Sequence, residues 1–340
     1  MSYYHFICEI INIPLKPRQL LIQKDIYYMK KLQLITVISL LLTCTTQRIT
    51  AQYYFYDNNY YDNPFVFELG GSVGIMNCLT DLGGKKGVGK KFVKDLNFGN
   101  TQLAGSISLS AMYKNAVALR LEGTFGQVKA YDSILKKDKA STFGRYERNL
   151  SFRSNITEFM AAVEIHPLTI FKKYSENDEL PRYSPYIVGG VGFFSFNPQA
   201  KLLNRWVDLQ PLSTEGQGFA EYSKRKIYKL NQISIPVGLG IKYELSPMIN
   251  LRAECVYRIL NTDYLDDVST TYIDQNIYSN YFTGTKLTNA LLLNDRQYEL
   301  DPSHVTGDGD ERGNPKNNDA YFTFNLKIGI IFGRERIRRH

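Results

Sequence analysis

The chain has 340 residues, 22% of them charged, with 25 Tyr, 25 Gly, a single Trp and a formal net charge of +8. Tyrosine and glycine at this level suit strands and interfacial aromatic girdles better than a helical bundle. Residues 1–52 carry six Lys/Arg against two Asp/Glu. Half of the net charge therefore belongs to the leader, no nucleic-acid-binding stripe follows, and nucleic acid is excluded as a partner.

In chain order, residues 1–28 read as an upstream extension, with translation starting at Met29. Met29-Lys30-Lys31 is a basic n-region, Leu32–Leu42 a short apolar h-region, and Thr50-Ala51-Gln52 supplies small residues for cleavage. This is the pattern of a secretory signal peptide, assigned to 29–51 and too short for a comfortable membrane helix. Lipoprotein processing at Cys44 is the alternative, and Thr43 before it fits that reading poorly. A Tyr-rich segment, 52–64, precedes the first strand. No later run of 18 apolar residues exists, so any membrane residence must use strands.

Eight segments alternate apolar and polar residues, the period of a strand. They are Phe65–Met76, Gln102–Tyr113, Ala116–Gly126, Ile156–His166, Pro185–Phe196, Gln232–Glu244, Ile249–Leu260 and Tyr321–Phe332. In Gln102–Tyr113, Leu103, Gly105, Ile107, Leu109, Ala111 and Tyr113 share one parity, against Gln102, Ser106, Ser108 and Ser110. The parity of Pro185–Phe196 is ambiguous, and Pro236 implies a bulge or a locally missing ladder bond. Each segment meets the roughly 9–11 residues a tilted strand needs to cross hydrocarbon.

The connections alternate. Lys114-Asn115 and Leu245–Met248 are short, and Pro167–Ser184 is of middling length. Asn77–Thr101, Gln127–Asn155, Asn197–Asn231 and Asn261–Ala320 are long and polar. This arrangement predicts an all-β fold, an eight-stranded antiparallel up-and-down transmembrane barrel over 65–332, with short periplasmic turns and long extracellular loops. A soluble lipocalin-like barrel has the same parity with its apolar side inward. The signal peptide, the one-sided loops and mixed charge on the polar face favour the membrane form. Ser269–Phe282 is a candidate extra hairpin.

Glu68, Arg120, Glu122, Glu158, Glu164, Lys242, Glu244, Arg252, Glu254, Arg258 and Lys327 fall on the inward parity. Side chains roughly fill an eight-stranded barrel, and buried charges must pair, so these residues predict a plugged lumen with little conductance. Cys78 is expected in the first long loop and Cys255 on a strand, two isolated thiols with no disulfide.

Chemical motifs are sparse. Gly84–Lys90 has phosphate-loop spacing, but Lys91 stands where Ser or Thr should hold Mg²⁺ and no helix follows. It reads as a flexible basic loop that could touch lipopolysaccharide phosphates. Gly307-Asp308-Gly309-Asp310-Glu311 lacks the third acid and distal Glu of a calcium loop and reads as a solvated turn. The histidines after the leader are His166, His304 and His340. His166 falls with Glu164 on the lumen parity, and no Ser-His-Asp or Cys-His arrangement stands out. No catalytic, cofactor or metal residues are assigned, and the chain is read as a non-enzyme.

Four stretches carry a resemblance. They are Ser154-Asn155-Ile156-Thr157-Glu158-Phe159 with Ala162-Val163-Glu164-Ile165; Ser184-Pro185-Tyr186-Ile187 with Gly189-Gly190-Val191; Ile235-Pro236-Val237-Gly238-Leu239-Gly240-Ile241-Lys242; and Asp263-Tyr264-Leu265-Asp266-Asp267-Val268. These resemble a family of Bacteroidetes outer-membrane barrels that includes the PorG-type component of the type IX secretion system, over about Phe65–Tyr272 and the final strand. The resemblance implies a cell outer-membrane location and an accessory role in secretion or gliding machinery. The alternative is a structural or surface-binding barrel. Expected partners are outer-membrane lipid and lipopolysaccharide. A periplasmic secretion-system lipoprotein is a further one, met by the segment Tyr53–Tyr61 and by Arg334, Arg336, Arg338 and Arg339 of the basic tail, 333–340.

Overall fold

The computed structural model describes residues 64–84, 97–141, 144–171, 181–304 and 306–333. The upstream extension, the signal peptide, the Tyr53–Tyr61 segment, most of the Gly84–Lys90 loop and Arg334, Arg336, Arg338 and Arg339 lie outside the described residues.

Eight long strands are β1 (Phe65–Leu79), β2 (Gln102–Tyr113), β3 (Val117–Tyr131), β4 (Ser151–Ile165), β5 (Tyr183–Ser195), β8 (Asn231–Ser246), β9 (Ile249–Leu260) and β10 (Ala320–Phe332). Each pairs antiparallel with its neighbours in the order β3-β2-β1-β10-β9-β8-β5-β4, and β4 returns to β3. The closing seam of β1 on β10 runs from Phe67↔Phe332 to Leu79↔Ala320. A short hairpin, β6 (Gln199–Leu202) and β7 (Arg205–Asp208), rises beside β4. The β2–β3 turn holds Lys114 and Asn115 at φ 48° and 54°, the paired left-handed geometry that suits the twist of a two-residue hairpin.

The two faces follow the sequence parity. Leu103, Ile107, Leu109, Leu119, Leu121, Phe125, Phe159, Val163, Ile235, Leu239, Leu326 and Ile328 point outward as an exposed apolar belt. Glycine, serine and charged residues point inward. A soluble barrel would invert this, burying the apolar face, so the exposed belt belongs to a barrel solvated by lipid. Along β3 the belt spans Val117 to Phe125, roughly 26 Å of strand at about 3.3 Å per residue and about 20 Å along the membrane normal once tilted, most of a band about 25 Å tall.

The strands overrun the expected bounds at the long-loop end. β3 continues to Tyr131 and β4 begins at Ser151, so the second long loop is shorter than Gln127–Asn155. The reason is a phase inversion. Beyond Gly126 the inward residues Val128, Ala130 and Phe152 are apolar and buried, while Gln127, Lys129 and Arg153 face out. The geometry is unchanged, but the apolar belt has given way to a polar zone outside and to packed protein inside.

Cys78 lies at the end of β1, buried, and not in the first loop; Cys255 is exposed on β9, and both thiols are free. Opposite Pro236, the β5–β8 ladder omits pairing between Gly189↔Val237 and Gly192↔Ser234. Ser269–Phe282 adds no hairpin. It makes one bridge, Thr271↔Glu311, then turns into the helical segments Gln275–Ile277 and Tyr278–Tyr281, followed by the helix Gly284–Asn294.

The long connections pack into a cap over the barrel mouth. Its apolar core joins strand residues Met76, Ile156, Phe194 and Tyr321 to loop residues Leu82, Leu212, Leu265, Tyr278 and Leu293.

Candidate functional site: a charged lumen beneath a packed cap

All eleven inward charges are buried. Period-2 geometry places them on six strands, so their side chains converge on one axis. At the centre, Arg120 of β3 reaches Glu254 at 2.6 Å, Glu164 at 3.0 Å and Glu122 at 3.2 Å. Arg252 meets Glu164 at 2.8 Å and also pairs with Glu68, which accepts from Asn250 Nδ2 at 2.7 Å. Lys327 of β10 joins Glu122 at 2.8 Å and Glu254 at 3.7 Å. Tyr186 donates to Glu254 at 2.8 Å.

A second group lies nearer the cap. Arg258 Nε holds Glu158 at 3.0 Å, and Ser234 donates to the same carboxylate at 2.7 Å. Arg258 Nη1 donates to Thr323 Oγ1 at 2.5 Å and to the Val256 carbonyl at 3.0 Å. Lys242 and Glu244 are buried toward the short-turn end, where Lys242 Nζ lies 3.5 Å from Met112 Sδ. His166 sits beside them, 2.9 Å from Ser184 Oγ and 3.5 Å from Glu164. Glycine makes the room: a Cβ on Gly329 would collide with Glu68 and Asn250, and one on Gly240 with the Tyr186 ring.

Sequence reasoning put the charges, Ser234 and Thr323 on one parity without pairing them, and it missed Tyr186 and Asn250. Asn250 shares the parity of Arg252, so the alternation could have found it, whereas Tyr186 lies in Pro185–Phe196, whose parity is ambiguous in the sequence. It also missed the charged residues of the cap, for which no periodicity exists.

In the cap, Arg148 holds Asp132 at 2.9 Å and donates to the carbonyls of Arg312 at 2.5 Å and Asp81 at 2.8 Å. Arg312 meets Glu215 at 2.9 Å and donates to the Asp267 carbonyl at 2.7 Å. Glu215 accepts backbone N–H groups from Ser269 and Thr270, each at 2.9 Å. Asp319 accepts from Leu265 N at 2.8 Å, and Asp266 from Val268 N at 3.0 Å.

Burial pushes several of these carboxyls up. Asp81 and Asp267 rise to about 6, Asp266 to about 8 and Asp263 to about 9. Like charge among Asp81, Asp263, Asp266 and Asp319 adds to the rise.

The Gly307–Glu311 segment is a turn closed by Gly307 N donating to Asp310 Oδ2 at 2.7 Å. His304 is exposed in the fourth loop. Among the described residues no group of acids, Cys or His is arranged to hold a metal ion. A cleft of about 810 Å3 lies between the first, second and fourth loops, lined by Asp81, Asn100, Arg145, His304, Glu311 and Lys316 among others.

No family model and no curated protein matches the chain. Among solved structures it is similar to the attachment invasion locus protein Ail of Yersinia pestis in complex with the heparin analogue sucrose octasulfate, at 8% identity and TM-score 0.35, covering 79% of this chain and 100% of that one. It is also similar to a major outer membrane protein from Thermus thermophilus (12%, TM-score 0.37, 79% and 100%). A third is the outer membrane protein OprG from Pseudomonas aeruginosa (8%, TM-score 0.33, 78% and 95%). The chain itself is a closed, eight-stranded antiparallel β-barrel with an apolar exterior and a charged interior.

Proposed function

We propose that this chain is a non-enzymatic barrel of the cell outer membrane that acts as a scaffold, an accessory component of type IX secretion or gliding machinery. One observation carries the scaffold reading. The lumen is occupied by mutually paired charges from Glu68 to Lys327, beneath a packed apolar core, so function moves to the two ends. The lumen carboxylates of Glu68, Glu122, Glu158, Glu164 and Glu254 are committed to arginine and lysine partners, which leaves them poor general acids or bases. The secretion reading is supported by the family resemblance of the Ile235–Lys242 and Asp263–Val268 stretches.

Two measurements test it. In planar bilayers the purified barrel is expected to show no large, stable channels; steady conductance would sink the plugged reading. Outer-membrane co-purification is expected to recover a periplasmic lipoprotein, and to lose it when 53–61 and 333–340 are deleted. The cap favours the second reading, a surface-binding barrel, because its polar cleft is built from three loops. Recovery of no periplasmic partner from the full chain would decide for it.

A further inference from the structure

The outward face of the β3–β4 ladder changes character above the apolar belt. After Phe125 and Phe159 comes Gln127 opposite Asn155, joined at 2.8 Å, and then Lys129 directly opposite Arg153. Like charges facing each other across a ladder destabilise it. Neither residue forms an ion pair with any described residue.

Arg153 is nevertheless held in place. Its guanidinium lies 3.7 Å from the Trp206 ring, and its Nε donates to Gln199 at 3.2 Å. Lys201, exposed, stands opposite Trp206 on the same face of the hairpin, while Arg205, paired with Leu202, falls on the other face. Asp208 accepts from Asn197 at 3.0 Å and Gln199 at 2.7 Å, and Glu299 pairs with Arg296 at 2.8 Å.

Lys129, Arg153 and Lys201 therefore share one outward face, and among the described residues no ion pair joins any of them to Asp208, the single acid of the hairpin beside them. Outward residues of a barrel point sideways into the surrounding leaflet, not up into solution. Lys129 stands four residues beyond Phe125, roughly 13 Å along the strand and about 10 Å along the membrane normal after tilt. The polar interface is on the order of 6 Å thick on each side, and long basic side chains reach down to it.

We propose that Lys129, Arg153 and Lys201, with Trp206 fixing the arginine, form a docking surface for the phosphate groups of outer-leaflet lipopolysaccharide. The assignment rests on the membrane reading above. Trp206 sets the guanidinium plane, so its Nη groups are presented as a fork suited to a phosphate.

The test uses the purified full chain in neutral detergent, titrated with diphosphoryl lipid A, dephosphorylated lipid A and phosphatidylglycerol. Wild type should bind diphosphoryl lipid A best, and Lys129→Gln with Arg153→Gln should weaken it by about tenfold or more. Trp206→Ala should weaken it by about threefold, because Arg153 then loses its fixed plane. Without lipid A, the double variant should be at least as heat-stable as wild type, since the facing cations are gone; a purely structural role for the pair predicts the reverse. Equal binding of dephosphorylated lipid A, equal binding of phosphatidylglycerol, or an unchanged double variant would overturn the proposal. If the double variant does not fold, the wild-type lipid series and Trp206→Ala decide it. Failure of the wild-type chain to insert into phosphatidylcholine vesicles would strike the membrane reading itself. Insertion without phosphate preference strikes the docking surface alone.

Discussion

The barrel and the cap both bury charge, and they differ in how much of it the backbone satisfies. In the lumen, Arg120, Arg252 and Lys327 are met by the side chains of Glu68, Glu122, Glu164 and Glu254. In the cap, Arg148 and Arg312 reach backbone carbonyls, while Glu215, Asp266 and Asp319 collect backbone N–H groups. The difference follows from where the main chain spends its hydrogen bonds. Strand backbone is largely consumed by the ladder, so buried charge there turns chiefly to side-chain partners, with the Arg258 bond to the Val256 carbonyl as an exception. Loop backbone is left over, and buried charge there serves to satisfy it.

The largest expected effect comes from breaking a lumen pair on one side only. Arg258→Met leaves Glu158 buried with Ser234 alone and should lower unfolding stability by about 3–5 kcal/mol. Replacing both partners, Arg258→Met with Glu158→Gln, should recover most of that loss. Urea unfolding of the folded barrel in detergent measures both, and equal losses would show that the pair is not the unit.

A smaller and more local effect is expected in the cap. Arg148→Met leaves Asp132 without its cation and two carbonyls without their donor, a loss on the order of 2–3 kcal/mol. It should raise protease nicking and hydrogen exchange in 132–150 and 306–319 while the barrel transition stays put. A fall in barrel stability of the same size would merge the two regions into one.

The smallest effect is a pH dependence confined to the cap. Asp81, Asp266 and Asp263 have folded values raised by burial to about 6, 8 and 9. A carboxyl raised above its unfolded value binds its proton more tightly when folded. The stability it contributes is present at acid pH and is lost as pH climbs through the folded value. The cap should therefore loosen from about pH 4, the unfolded value, to about pH 9, most steeply below pH 6 where all three contribute, read as rising exchange of the Leu82, Leu265 and Val268 amides. Tightening over that range would contradict the assignment.

How much of this was legible in the sequence divides along the same line. Within the belt, parity located every spanning strand and put all eleven charges in one lumen, because lipid outside and charge inside give opposite faces opposite polarity. Above Gly126 the alternation continued with inverted sign. Val128, Ala130 and Phe152 therefore read as the wrong face of a strand, and the strand seemed to end. Cys78 was misplaced for the same reason, lying on a strand that had already left the belt. The cap was illegible altogether. Its core pairs residues such as Leu82 and Leu265 that no local period connects.

The span of those contacts sets the order in which the molecule can be assembled. The β2–β3 hairpin closes through two residues and can form as soon as both strands exist. Leu82 N meets Asp266 across 184 positions, and Arg148 meets the carbonyl of Arg312 across 164. Such distant partners carry a high entropic cost of closure and come together late. Both lie upstream of β10, whose pairing with β1 shuts the ring. That seam joins still more distant partners, Phe67 with Phe332, so by the same measure the ring closes last, around a cap whose own partners were already in hand.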